Sequence, residues 1–253
     1  MAAPSSFAPC AVIPVFNHER AVGHVLAAVR HSGLPCFLVD DGSSAECGRE
    51  LDRLAATMPE TRLVRLPVNL GKGGAVCAGL RAARREGFSH ALQIDADGQH
   101  RLADIPRFIA AAQADPSVVV CGKPVFDKTM PAARRYGRLL THAFVWLDTL
   151  SLDIPDSMCG FRVYPLEAIV SLIDGCRLGS RMDFDVEILV RLHWRGQRMR
   201  WLDTEVSYPM DGVSHFRMVW DNARMVALHT RLVPGMLLRL PVLLWRKVRL
   251  RAR

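Results

Sequence analysis

The sequence predicts an α/β fold, in which helices flank a mostly parallel β-sheet. Two observations predict it. Between residues 10 and 122, short apolar runs alternate with segments whose apolar residues recur at helical spacing. This alternation is typical of parallel sheets built from right-handed βαβ units. The apolar runs also end repeatedly in polar or glycine-rich loops, so we expect the functional loops along one edge of the sheet.

The individual elements follow from local patterns. Residues 10–16 form a continuous apolar run, as buried strands do, and residues 18–32 show helical spacing with a stop at Gly33. The same criteria place strands at 10–16, 36–39, 62–66, 90–94 and 118–121, and helices at 18–32, 45–57, 71 to about 86, and 102–114.

After residue 122 the alternation weakens. We expect one domain over residues 1–216, with its halves meeting near residue 122, and a tail from 217 to 253. The elements expected in the second half are a long helix at 134–152, a loop at 156–162, a helix at 183–194 and a strand at 198–208.

The composition is that of a globular protein with a sizeable core: 50% of the residues are hydrophobic and 23% are charged. No 18-residue apolar stretch is evident, which argues against a transmembrane helix. The first ten residues lack the pattern of a signal peptide. The seven cysteines are scattered without a CxxC pair. They favour a reducing cytosol over a disulfide framework or a zinc site.

The most informative motif is IDADGQH, residues 94–100. It places Asp95 and Asp97 two residues apart where a strand ends, with Gln99 close behind. Hard cations such as Mg²⁺ prefer oxygen ligands, usually one or two carboxylates plus substrate phosphates. The motif therefore favours a metal site, and an acidic turn that caps the next helix is the alternative.

Three further loops follow strand ends: PVFN at 14–17, VDDGS at 39–43 and NLGKGGA at 69–75. In order and spacing, the four loops resemble those of the family 2 glycosyltransferases of GT-A fold. The branch of polyprenyl-phosphate mannose and glucose synthases is the most similar. The resemblance covers residues 10 to about 215. It implies a nucleotide-sugar-binding half at about 10–122 and an acceptor half at 123–216.

The resemblance implies a nucleotide-sugar site. Asp41 would accept hydrogen bonds from the nucleobase, although an Asx-turn before the next helix is the alternative. Lys72 would lie near the diphosphate or orient the nucleoside, unless it is only an exposed lysine at a helix start. The implied nucleotide-sugar-binding residues are Pro14, Val15, Phe16, Asp41, Lys72, Asp95 and Lys123.

The resemblance also implies a Mg²⁺ or Mn²⁺ ion. Asp97 would be a direct ligand, the amide oxygen of Gln99 a second, and Asp95 would reach the metal through water or contact the ribose. The ion would neutralise the leaving nucleoside diphosphate, which makes Asp97 a catalytic residue.

On the acceptor side, DSMCGFR at 156–162 resembles the DxxSGFR loop of the family, with Cys159 in place of Ser. Asp156 would be a base or an acceptor-orienting group, and Arg162 a clamp for phosphate or carboxylate. Gly160 and Phe161 are further acceptor candidates. The alternative is an Asp156–Arg162 salt bridge that shapes the loop. Glu187 matches a family glutamate, for which a structural role is as plausible as a functional one.

Two departures from the family pattern concern cations. Where the family usually has Arg-x-x-Gly-x-Ser-Lys, this chain has Pro209 in place of Arg and His215 in place of Lys. This puts a phosphate acceptor in doubt, although His215 or Arg217 could substitute. Lys123 stands where the family often has Arg.

The tail carries the net charge. Residues 217–253 contain eight Arg, one Lys and one Asp, a net charge of +8, so residues 1–216 sum to zero. Apolar residues, Trp245 and clustered Arg suit an interfacial anchor on anionic lipid. The stretch 232–245 is apolar apart from Arg239, and we expect it to be broken by Pro234 and Pro241 and to be too short to span a bilayer. The alternatives are a helix packed on the body, a floppy basic end and a nucleic-acid arm.

We therefore expect an inverting, metal-dependent glycosyltransferase of lipid-linked or cell-envelope glycan synthesis. Its expected partners are a nucleotide sugar, linked to UDP or GDP, a lipid-linked or amphipathic acceptor, and an anionic membrane surface, but no nucleic acid. Its expected location is cytoplasmic and peripheral, on the inner face of the cell membrane. The alternatives are a soluble transferase for a polysaccharide or small molecule, and a non-catalytic nucleotide-sugar-binding protein.

Overall fold

The structure is a computed structural model that describes residues 7–126, 132–207 and 218–251. Within these ranges, seven strands form one sheet in the order β3-β2-β1-β4-β6-β5-β7. Strand β6 is antiparallel to both of its neighbours, and the other pairings are parallel. The strands are β1 Pro9–Val15, β2 Cys36–Asp40, β3 Thr61–Arg65, β4 His90–Gln93, β5 Val119–Phe126, β6 Arg162–Pro165 and β7 Met199–Val206.

Helices cover both faces of the sheet. The α-helices are α1 Glu19–His31, α2 Ala45–Thr57, α3 Lys72–Arg85, α4 Ile105–Ala114, α5 Ala132–Thr149, α6 Leu166–Gly175, α7 Asp183–Trp194 and α8 Met218–Arg251. The expected α/β fold with a mostly parallel sheet is confirmed. Strand β6 and helix α6 were missed, because a four-residue strand that runs directly into a helix offers neither a period nor a turn signal.

Two apolar clusters form the core, one on each face of the sheet. Alternate residues of β1 point to opposite faces, so Val12 joins one cluster and Ile13 joins the other. The cluster that contains Ile13 is covered by α1, α2 and α4, and the cluster that contains Val12 is covered by α3, α6, α7 and α8. The core on both faces of the sheet therefore fixes the positions of the strand ends.

The tail differs from the expectation. It is one helix, α8, which continues through Pro234 and Pro241. The two prolines lie seven residues apart on the exposed side of α8, so their rings point away from the body. Packing of the opposite side offsets the helical hydrogen bonds that proline removes. The buried residues of this inner side are Met225, Leu228, His229, Leu232, Met236 and Leu243.

The expectation that no segment of the chain is long and apolar enough to cross a bilayer was wrong. By length and composition alone, the segment Ala223–Val248 meets the requirement for a membrane span. Core helices of soluble proteins pass the same test, and 28% of an 18-residue window of this segment is buried inside the protein.

Candidate active site

The loops after β1 and β2 are joined at the carboxyl edge of the sheet. The Asp41 amide donates to the Val15 carbonyl over 2.9 Å. Asn17 adopts a φ of 55° and its side chain accepts from the Ser44 amide over 2.8 Å. Pro14 and Val15 are buried within β1, and Phe16 is partly buried directly after it. The three residues expected at the nucleobase thus lie at the edge where open α/β sheets bind ligands.

Asp41 connects the second loop to the third. Its carboxylate is buried and accepts from the amides of Leu70, over 2.7 Å, and Gly71, over 2.8 Å. Burial raises the pKa of Asp41 above its ordinary value, and the two amide hydrogen bonds oppose that rise. The turn after β2 is made by Asp40, which accepts from the Ser43 amide over 2.9 Å. Asp41 is therefore not needed for the turn, and its contact with a nucleobase stays a prediction.

Lys72 lies at the start of α3, and its ammonium lies between two carboxylates. Its Nζ is 2.8 Å from Asp95 Oδ2 and 2.7 Å from Asp185 Oδ2. Burial acts to lower the pKa of Lys72, but Asp185 and Asp95 outweigh it and hold the pKa above its usual range. The positive charge expected of Lys72 is thus present at the sheet edge, where it is already paired with two carboxylates. Asp185, on α7, was not predicted as a site residue.

Gly160 brings the loop at 156–162, which we call the acceptor loop, onto this ion pair. A Cβ at Gly160 would lie 2.7 Å from Lys72 Nζ and 2.8 Å from Asp95 Oδ2. Only glycine permits so close an approach of the backbone. The acceptor loop and the DADGQH loop therefore meet, although they are far apart in sequence.

The DADGQH loop offers oxygen atoms that fit a hard cation. Asp95 Oδ1 is buried without a hydrogen-bond partner among the described residues. A buried oxygen without a partner is a candidate ligand for a bound ion. Asp97 is half-buried, and its Oδ1 accepts from the Gln99 amide over 3.0 Å. Burial acts to raise the pKa of Asp95, but Lys72 and His100 hold it well below its usual range.

No group of three or more His, Cys, Asp or Glu in the described ranges is arranged to hold a metal by itself. A site of one or two carboxylates completed by substrate phosphates is the usual arrangement for Mg²⁺. Asp97, Asp95 and the amide oxygen of Gln99 fit that donor set.

Asp156 is paired with α5, not with Arg162 as the alternative interpretation expected. Its Oδ1 accepts from the amides of Met158 and Cys159, and its Oδ2 forms an ion pair with Arg138. His142 Nε2 lies 3.4 Å from the same oxygen. Burial acts to raise the pKa of Asp156, but His142 and Arg138 outweigh it and lower the pKa to about 2.

Arg162 is buried inside the protein. Its guanidinium donates to the Tyr164 hydroxyl over 3.1 Å, the Asp185 carbonyl over 2.9 Å and the Ser157 carbonyl over 2.8 Å. Arg162 therefore supports the acceptor loop from within. To clamp an acceptor anion, as the sequence predicted, it would have to leave these partners.

Phe161 is buried as well, stacked on Phe108 with 4.2 Å between ring centroids. Its side chain therefore belongs to the core beneath the acceptor loop.

The remaining predicted residues are Lys123, Glu187, His215 and Arg217. Lys123 is exposed on β5, and its Nζ lies 3.6 Å from Asp203 of β7. Glu187 is buried and is bound by Arg191 and Arg231, which indicates a structural role. His215 and Arg217, like Pro209, lie outside the described residues.

Sequence reasoning missed Arg138, His142 and Asp185. The first two are four residues apart on α5 and so share a helix side, which is the one signal that could have paired them. Nothing local in the sequence relates either residue to Asp156.

The chain was compared with known protein families and with individual proteins. The model of the family described as Glycosyl transferase family 2 matches residues 10–170. A dolichyl-phosphate beta-glucosyltransferase from Dictyostelium discoideum is 30% identical over 163 residues, which are 60% of this chain and 49% of that protein. An undecaprenyl-phosphate mannosyltransferase from Micrococcus luteus is 24% identical over 202 residues, which are 74% of this chain and 79% of that protein. The chain thus spans about half of the first relative and about four-fifths of the second.

Solved structures show the same fold. Glucosyl-3-phosphoglycerate synthase from Mycobacterium tuberculosis, in complex with phosphoglyceric acid, superposes with a TM-score of 0.68 at 14% identity. The match covers 91% of this chain and 80% of that one. The same enzyme in complex with Mn²⁺ and uridine-diphosphate-glucose gives a TM-score of 0.65 at 14% identity, over 87% of this chain and 75% of that one. These matches confirm the GT-A fold.

Proposed function

The chain belongs to glycosyl transferase family 2, and we propose that it moves a sugar from a UDP- or GDP-linked donor to a lipid-linked phosphate, with Mg²⁺ or Mn²⁺. The acceptor oxygen attacks the anomeric carbon opposite the diphosphate. The new C–O bond forms as the old one breaks, and the configuration inverts. Relatives whose names specify dolichyl or undecaprenyl phosphate support this acceptor class.

On the donor side, Asp41 and residues 14–16 hold the nucleobase at the ends of β1 and β2. Asp97, Asp95 and the Gln99 amide would hold the divalent ion, which supplies positive charge to the leaving diphosphate when bound. Lys72 fixes the orientation of Asp95, because its ammonium lies 2.8 Å from Asp95 Oδ2. Asp95 Oδ1, which has no hydrogen-bond partner among the described residues, would then be left to accept a ligand.

The pairing of Asp156 with Arg138 and His142 is the observation that carries the acceptor assignment. A carboxyl with a pKa of about 2 is a weak base for a neutral hydroxyl at neutral pH. A phosphate acceptor is already ionised and needs no base. Arg138 also places a cation at the acceptor loop, with His142 beside it. In the sequence, Pro209 and His215 replace the family cations. The site therefore suits an anionic oxygen nucleophile.

The test is transfer from labelled UDP- and GDP-sugars to three acceptors: a polyprenyl phosphate, the matching polyprenyl alcohol, and 3-phosphoglycerate as a soluble phosphate. We expect transfer to the polyprenyl phosphate alone, abolished by EDTA and restored by Mn²⁺. Asp97→Ala should lower the rate by at least about a hundredfold, because the diphosphate loses its counter-charge. Asp174→Ala, at an exposed ion pair with Arg81, is the control.

Transfer to the alcohol at the same rate would overturn the phosphate assignment. Transfer to 3-phosphoglycerate alone would favour a soluble acceptor. Full activity of Asp97→Ala, or in EDTA, would overturn the metal assignment.

We place the enzyme at the cytoplasmic surface of a membrane, as a peripheral protein, because its acceptor would be a lipid. The basic tail supports this location, since each cation near an anionic surface contributes on the order of 1 kcal/mol to binding.

A further inference from the structure

Helix α5 has its apolar side turned outward. Six apolar residues share one exposed helix side, at spacings of three and four along the chain: Tyr136, Leu139, Leu140, Ala143, Phe144 and Leu147. Leu140 is 61% exposed and Tyr136 is 72% exposed. The polar residues Arg138, Thr141, His142 and Asp148 lie on the opposite, inward side. A helix that packs on a core in water has the reverse arrangement.

Helix α8 continues this apolar surface. The two helices pack together, with the rings of Phe144 and His229 stacked 4.9 Å apart and Asp148 Oδ2 2.6 Å from His229 Nδ1. We call the exposed apolar side chains of α5 and α8 the apolar wall. On α8 its members are Val226, Leu237, Leu238, Val242, Leu244, Trp245 and Val248.

The charges around the apolar wall are mostly basic. From Ala223 to Val248 every charged side chain is basic, namely Arg224, Arg231, Arg239, Arg246 and Lys247. At the C-terminal end of the wall, a recess of about 840 Å³ is lined by five cations and two carboxylates. The cations are Arg195, Arg198, Arg200, Arg246 and Lys247, and the carboxylates are Asp115 and Asp153.

The apolar wall could be covered by a second copy of the chain or by a lipid surface, and the charge pattern favours the lipid surface. A second copy of the chain would bring like charges together around a symmetric contact, which is unfavourable. An anionic lipid surface complements them, and the apolar wall suits the acyl boundary beneath its headgroups.

Helix α8 is also held flat against the body. Arg231 is 2.6 Å from Glu187 Oε2, and Arg246 donates to the carbonyls of His193 and Trp194. Gly235 lies so close to Trp194 that a Cβ would approach the ring to 2.9 Å. A bilayer-spanning arrangement would remove these contacts, whereas a helix that lies in the plane of the interface keeps them.

We propose that α5 and α8 together dock this protein flat on an anionic bilayer, and that α5 supplies an apolar insertion surface of its own. The inference deepens the proposed function and rests on it in one respect: the lipid-linked acceptor would then reach the acceptor loop from the same surface. Helix α5 makes that connection, because Arg138 on its inward side holds Asp156.

The experiment is co-sedimentation of the full chain with vesicles of phosphatidylcholine, with and without phosphatidylglycerol, at low and high salt. Leu139→Glu/Leu140→Glu places two charges on the α5 part of the apolar wall. Ala56→Glu/Ala110→Glu makes the same charge change at exposed positions of α2 and α4, on the other face of the sheet. Thermal stabilisation by UDP- and GDP-sugars with Mn²⁺, measured without lipid, reports whether each variant still folds and binds donor.

We expect the wild type and the α2/α4 control to sediment with anionic vesicles and to be partly released by high salt, which screens the cations but not the apolar contact. The α5 variant should bind at least about tenfold less, because a charge at the acyl boundary is costly. It should keep its donor-dependent stabilisation and its transfer to a water-soluble, short-chain polyprenyl phosphate.

Vesicle binding of the α5 variant equal to that of the control would overturn the inference and leave the proposed function intact. A wild type that stays in solution as a dimer, with a monomeric α5 variant, would assign the apolar wall to self-association. Lipid binding as predicted with no sugar transfer would instead overturn the proposed function and leave docking intact.

Discussion

Asp41 illustrates how one side chain shapes the donor site. It is buried, and each of its oxygens accepts a hydrogen bond from a backbone amide of the glycine-rich loop before α3. The carboxylate thus holds together two loops that are remote in sequence.

Replacement of Asp41 should weaken donor binding more than it slows the bound reaction. Nucleobase contacts are alike in the ground and transition states, so their loss raises KM with little change in kcat. We expect Asp41→Ala to raise the donor KM about tenfold or more, and Asp41→Asn, which keeps one acceptor oxygen, to raise it less. Steady-state kinetics at saturating acceptor would measure both. A large fall in kcat at constant KM would contradict the assignment.

Asp156 makes a second residue-scale prediction, about pH. Its pKa is lowered in the folded protein, so its contribution to stability is complete above the ordinary value and is lost as the pH falls toward about 2. Between about pH 5 and about pH 8 its charge does not change. A pH–rate profile over this range should therefore keep its shape in Asp156→Asn, and transfer to a polyprenyl phosphate should fall less than about a hundredfold. An inflection that the mutation removes would identify Asp156 as a titrating base.

At the scale of elements, α8 has two dissimilar sides. Trp194 of α7 is the centre of the contact: it packs against Gly235, and the Arg239 guanidinium lies 4.9 Å from its ring. The inner side is therefore part of the core, although the sequence assigned this segment to a tail.

Two leucines of α8 test this division. Leu232 is 1% exposed and Leu238 is 83% exposed. We expect Leu232→Ala to lower the free energy of unfolding by roughly 2–5 kcal/mol, the usual cost of a buried leucine. Leu238→Ala should change it by less than about 0.5 kcal/mol. Urea denaturation of both variants measures the difference, and equal effects would mean that α8 does not pack as described.

At the scale of the whole molecule, the proposed donor and metal sites are assembled from loops far apart in sequence, and the two sites should respond together. A ligand that binds only the folded state stabilises it by about 2.7 kcal/mol at a hundredfold excess over its Kd. We expect the preferred nucleotide sugar to raise the Tm with Mn²⁺ present and to raise it much less in EDTA. Thermal unfolding with matched UDP- and GDP-sugars would identify the nucleotide. Equal shifts with and without metal would indicate that the diphosphate binds without it.

The sequence by itself determined six of the seven described strands and the place of the loops that form the candidate site. Buried strands and amphipathic helices follow from local periodicity, and a polar loop after a strand must lie at the carboxyl edge of a parallel sheet. For this reason the first five strands, the glycine-rich loop and the DADGQH loop lie where they were predicted. Residues 209, 215 and 217, outside the described ranges, keep their predicted roles only as predictions.

The tertiary structure alone decided which side chains meet and which helix sides face water. Lys72 contacts Asp185, and Arg138 contacts Asp156, in each case from a remote segment of the chain. Arg162 is buried among such remote segments. No local spacing in the sequence encodes these arrangements. The apolar sides of α5 and α8 make the same point. Periodicity reveals that a helix has an apolar side, but the neighbours it packs against decide whether that side points into the core or outward.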